Sequence, residues 1–96
     1  MSDSLDPILS RHAQARMQQR GIPLTMIDQV LRYGCVRHDH RGAIIVFLDK
    51  GSRRRMERSG EVRLGEIDRL GRVYVVLQAD GTVVTVGHRY RRMRQH

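Results

Sequence analysis

From Ser10 to Gly34, SRHAQARMQQRGIPLTMIDQVLRYG, apolar residues return at helical spacing. Ser10 suits an N-cap, Arg11 to Arg20 holds no helix breaker, and Gly21 can supply the left-handed residue that ends a helix. Ile22 follows where such an ending wants an apolar contact. Pro23 cannot continue the first helix but can begin a second. Leu24, Ile27, Val30 and Leu31 then share one face, and Gly34 closes the run. The spacing predicts an antiparallel helical hairpin.

After Gly34 the rhythm changes. Cys35 to His38 reads as an edge strand, joined through a His40–Gly42 turn to the continuous apolar run Ala43–Leu48, a buried strand. Residues 49–60, DKGSRRRMERSG, suit a short helix or turn capped by Ser52. Val62, Leu64, Ile67 and Leu70 fit neither period, which predicts strand or loop over 61–70. RVYVVLQ and TVVTVGH flank Asp80-Gly81, a signal for a two-residue type I′ hairpin. That turn would set Leu77 opposite Val84, Val75 opposite Val86 and Val73 opposite His88, all on the face under the helices. Tyr74, Val76, Gln78, Val83, Thr85 and Gly87 would take the other face.

The expected fold class is α+β: an N-terminal helical hairpin packed on one face of an antiparallel sheet of about four strands. Residues 1–9 read as a lead, 10–89 as a single domain and 90–96 as a basic tail.

Charge changes the picture more than composition does. Ninety-six residues suit one small domain, and a net charge of +8 with a pI of about 11.2 points to a polyanionic partner. Lys50 is the only lysine among 18 basic side chains. Arginine's planar fork grips phosphate at two points. Cys35 is alone, so no internal disulfide can form. The opening MSDSLDP has no signal-peptide pattern, and no apolar run approaches the roughly 20 residues of a membrane span. A cytoplasmic protein without a membrane partner is expected. Walker A, Rossmann and Ser-His-Asp patterns are absent.

The candidate chemistry lies at His12, Arg16 and Arg20, spaced i, i+4, i+8. Relative to Leu9, Ala13 and Met17 these residues border the buried stripe, where charge is costly unless it is paired. A plain structural explanation is that they pair with Asp28 or another carboxylate. If the apolar sheet face ending in His88 meets this helix face, two histidines and two arginines converge. That set suits metal-independent RNA cleavage: one histidine takes the 2′-OH proton, the other protonates the leaving oxygen, and the arginines hold the phosphate. In the first helical turn the dipole favours a neutral His12, as a base requires.

Arg53, Arg54, Arg55 and Arg58, with Arg89, Arg91 and Arg92, are candidate nucleic-acid contacts. Only four aromatic residues are present, which weakens a purely single-strand stacking mode. Cys35, His38 and His40 form a C-x2-H-x-H cluster with both histidines on one strand face, but no fourth ligand is evident. No metal and no cofactor are expected.

Ser10-Arg11-His12-Ala13, Arg16-Met17, Arg20-Gly21-Ile22, Ile27, Val30-Leu31 and Gly34 resemble the opening motif of a small bacterial domain-of-unknown-function family, number 4258. Tyr74-Val75-Val76 and Asp80 to Val86 resemble its closing hairpin. That family is similar in layout to RelE-like toxins and the barnase, colicin and EndoU-like ribonucleases. The resemblance implies a RelE-like fold with His12, Arg16, Arg20 and Thr85 as site positions, RNA as partner and an antitoxin that masks the site. RelE-type toxins commonly begin with a strand, for which this chain has almost no room. Three functions are therefore in play: a metal-independent endoribonuclease, an RNA- or ribosome-binding module without catalysis, and a small structural domain with a buried His-Arg network.

Overall fold

The computed structural model describes residues 7–89. Ser10 caps α1 (Arg11–Arg20) by accepting a hydrogen bond from the Ala13 amide at 3.0 Å. Gly21 ends the helix at φ 64°, and the Ile22 amide reaches back to the Met17 carbonyl at 2.9 Å, burying the Ile22 side chain. Pro23 then opens α2 (Leu24–Tyr33), whose Ile27 and Val30 are fully buried. Both helices form where local signals place them.

They pack chiefly on the sheet and only slightly on each other. α1 lies along the last strand, β4 (Val83–His88), while α2 crosses β2 (Ile44–Phe47) and β3 (Val73–Leu77). With β1 (Cys35–His38) these strands make an antiparallel sheet in the order β1-β2-β3-β4. The architecture is α+β, with four helices and a four-stranded sheet.

Two further helices complete it. Asp49, not Ser52, caps α3 (Lys50–Ser59): its Oδ1 accepts from the Ser52 amide at 2.8 Å and from the Ser52 hydroxyl at 2.9 Å. Ser52 is thereby buried inside the first turn. Where the apolar spacing predicts strand or loop, Leu64–Leu70 forms α4. Leu64 is 70% exposed and belongs to no core, so it obscures the pattern. Ile67 and Leu70, three apart and buried, carry the real helical face.

The core lies between the helices and the sheet face bearing Val46, Val73, Val75, Val83 and Val86. Val75–Val86 and Val73–His88 pair as the periodicity predicts. Leu77, however, pairs with Val83, not Val84, and Val83 is fully buried instead of lying on the opposite face. The turn explains this. Gln78 donates to the Thr82 carbonyl at 2.9 Å, leaving a three-residue loop, Ala79-Asp80-Gly81, with Gly81 at φ 91°. The extra loop residue shifts the register by one, and a bulge between Leu77–Val83 and Val76–Thr85 leaves Val84 over and shifts it back. Gly42, at φ 84°, ends a loop of the same length between Asp39 and Ala43.

The lead joins the fold. Ile8 to Ser10 run beside β4, with Val83 donating to the Ile8 carbonyl at 2.8 Å and Ser10 donating to the Val83 carbonyl at 2.9 Å. No helix among the described residues is long and apolar enough to cross a membrane.

Candidate nucleic-acid interface

The row His12, Arg16, Arg20 is graded by depth. Leu9 is extended and lies outside the helix, so buried Ala13 marks the centre of the packed face. At about 100° per residue, Arg20 lies about 20° from that centre, Arg16 about 60° and His12 about 100°. Exposure follows the same order: Arg20 and Arg16 are half-buried and His12 is exposed.

Each side chain has a partner that is not a carboxylate. Arg16 Nε donates to His12 Nε2 at 3.3 Å, and Arg16 Nη1 donates to Gln19 Oε1 at 3.2 Å. His12 Nε2 is therefore the acceptor toward Arg16. Arg20 Nη1 donates to the Val86 carbonyl at 2.9 Å, on the outer edge of β4. Its guanidinium then lies over Gly87: a Cβ built there would come within 2.6 Å of Tyr74 Oη and closer still to Arg20 Nη1. Thr85 lies two residues before Gly87, on the same face of the sheet. Arg20, Thr85 and Tyr74 thus border one edge of the open sheet face. Tyr74 and Gly87 are participants that periodicity alone does not single out; their facing pair across β3 and β4 is the signal.

His88 does not join them. It occupies the helix-side face as expected, opposite Val73, but at the groove end of β4. It lines a groove of about 770 Å³ with Gly21, Met26, Val62 and Arg72, beyond the α1–α2 corner. None of His12, Arg16, Arg20 or Thr85 lines that groove. The convergence of two histidines is not what this fold builds.

The remaining arginines divide by role. Arg55 Nη2 donates to the Tyr33 carbonyl at 2.6 Å, and Arg53 lies flat against Gly71, filling the space a Cβ would need there. Arg89 donates to the Gly71 carbonyl at 2.8 Å and the Leu48 carbonyl at 2.6 Å, and its guanidinium stands 5.0 Å above the Phe47 ring. These three hold the fold. Arg54 and Arg58, one turn apart on α3, face solvent. Arg91 and Arg92 lie outside the described residues.

Among the described residues no three His, Cys, Asp or Glu side chains come together as a metal site requires. β1 ends at His38, and His40 lies in the turn beyond it, so the two do not share a strand face.

Residues 9–88 match DUF4258, a domain of unknown function. The chain belongs to this family. The match covers every element from the Leu9–Val83 bridge to the end of β4, so the α1 row and the closing hairpin are both part of the DUF4258 unit. No curated protein and no solved structure matches the chain.

Proposed function

We propose that this DUF4258 domain acts on RNA as a metal-independent endoribonuclease of RelE-like type, with the α1 row as its site. The observation that carries the reading is the Arg16–His12 hydrogen bond at an exposed edge of a strongly basic chain. At 3.3 Å and in contact with solvent, that bond is cheap to exchange. A phosphate bound at the edge draws the Arg16 guanidinium to itself through charge-assisted hydrogen bonds. His12 Nε2 is then released to accept the proton of a ribose 2′-OH. The 2′ oxygen attacks the adjacent phosphorus, Arg16 holds the charge that builds there, and water protonates the departing 5′ oxygen. Arg20, anchored to Val86, positions the helix carrying these groups. An antitoxin covering the α1 row is the partner proposed to contain such an activity, and the cytoplasm is the proposed location.

Binding without cleavage is the second reading, favoured because His88 lines a groove that no residue of the row lines. One experiment separates the two. Purified protein is incubated with RNA in EDTA, and products are examined for 2′,3′-cyclic phosphate ends. Cleavage that stops on 2′-deoxy substrates supports the first reading, and His12→Ala should then cost about 10² to 10⁴ in rate with little change in affinity. RNA that binds, loses affinity with Arg16→Ala and is never cut supports the second.

A further inference from the structure

The groove that receives His88 has its own chemistry. Its two acidic residues are already engaged. Glu61 accepts from the Tyr33 hydroxyl at 2.7 Å and pairs with Arg32 at 3.7 Å, and Glu66 pairs with Arg69 at 3.8 Å. Arg63, Arg72 and His88 remain, all lining the groove and none with a side-chain partner among the described residues. Arg72 and His88 are held side by side by the sheet: Val73 pairs with His88, and the Arg89 amide donates to the Arg72 carbonyl at 2.7 Å. Two guanidinium forks and an imidazole thus line one groove, which suits an anion with several acceptor oxygens.

The groove also has a wall from the start of α2. Pro23 and Met26 give it an apolar surface, and Thr25 and Gln29 give it hydrogen-bonding groups. A bare inorganic anion would leave that wall unused. A planar heterocycle would cover the apolar patch and meet the polar groups with its edge. Methionine suits such a flat partner because its thioether is polarisable and its chain adjusts.

We propose that this groove is a nucleotide subsite, with the phosphate held by Arg63, Arg72 and His88 and the base lying against Met26 and Pro23. It rests on the reading of the α1 row as an RNA site, and it extends that site. Arg20 is followed directly by Gly21, which lines the groove, so a strand leaving the α1 row over this corner enters it.

The test is an NMR titration of the full chain, following the His88 ring Cε1–H and the Met26 methyl. AMP, adenosine, inorganic phosphate, a glutamate-rich peptide and a short single-stranded oligoribonucleotide are added in separate arms. AMP should shift both signals, phosphate should shift His88 alone and more weakly, and the oligonucleotide should bind more tightly than AMP while also moving α1. Arg63→Ala and Arg72→Ala, both at exposed positions, should each weaken AMP by about tenfold. His12→Ala should leave the AMP response unchanged. Phosphate alone reproducing the full AMP response, or no response to AMP in the millimolar range, overturns the nucleotide subsite. So does a peptide that outcompetes AMP, which would assign the groove to an acidic protein. An oligonucleotide that binds no better than AMP and leaves α1 unmoved instead removes the RNA reading of α1, while the groove keeps its nucleotide.

Discussion

Arg20 closes the outer edge of the sheet by donating to the Val86 carbonyl at 2.9 Å. β4 is an edge strand, and edge carbonyls invite pairing with foreign chains. Here the lead and α1 occupy them in turn: Ser10 takes the Val83 carbonyl through its amide and the Val84 carbonyl through its hydroxyl at 3.2 Å, and Arg20 takes that of Val86.

The Arg20 contact lies against Gly87. A methyl group there would collide with both the Arg20 guanidinium and the Tyr74 hydroxyl. Gly87→Ala should cost about 1 kcal/mol or less, because the atoms it meets are the ends of side chains that can move aside. In the Gly87→Ala background, adding Arg20→Ala should cost less than it does alone, because the first substitution already displaces the guanidinium. Urea unfolding of the four-protein cycle measures this; strict additivity would show that Arg20 does not depend on the glycine.

Acid should loosen the tips of both hairpins. Asp80 accepts from the Thr82 amide at 2.9 Å, and that backbone hydrogen bond holds its carboxyl below the ordinary 3.8. Asp39 is lowered in the same way, first by the Arg41 amide and then by that of Ala43. A carboxyl lowered by folding contributes stability that is present above its unfolded value and lost as pH falls through its folded one. The Thr82 and Ala43 amide shifts should therefore titrate with midpoints below the ordinary 3.8 of an aspartate. Asp80→Asn should abolish the Thr82 response and leave that of Ala43 intact.

Arginines of one run should behave in two ways. Arg54→Gln with Arg58→Gln should reduce the slope of log RNA affinity against log salt by roughly 0.7 for each phosphate these arginines neutralise, without altering the melting temperature. Arg53→Gln should lower the melting temperature, because its guanidinium packs on Gly71. An unchanged slope in the double variant would assign Arg54 and Arg58 to solubility alone.

Asp49→Ala should cost about 1–2 kcal/mol, since it removes the cap of α3 and leaves the buried Ser52 hydroxyl without its acceptor. Ser52→Ala removes the hydroxyl and keeps the cap, so it should cost less. Chemical denaturation of the two variants gives the order.

What is legible in the sequence is what local chemistry decides. Ser10, Gly21 and Pro23 place α1 and α2 because caps and stops act within a few residues. α4 is obscured because Leu64 looks like core and is not. The direction of His88 is legible as a strand face, but its neighbours are not, because they depend on how far α1 and α2 splay. The His12–Arg16 pair follows from i, i+4 spacing on one helix. The position of Arg20 over Gly87 joins residues at opposite ends of the domain through a contact no local rule contains.

The turn and the bulge of the last hairpin are dislocations of opposite sign. One adds a residue before Thr82 and the other adds one at Val84, so only the short segment between them is out of phase with the rest of the sheet. A chain that loses Ala79 alone would close to a two-residue turn with Leu77 still opposite Val83, and a chain that loses Val84 alone would keep the longer loop and lose the carbonyl that accepts from the Ser10 hydroxyl. A chain that loses both would regain a two-residue turn and an unbroken ladder, with Val75 and Val86 undisturbed. Each extra residue is therefore taken up where it arises, and a relative one or two residues shorter here can carry the same core.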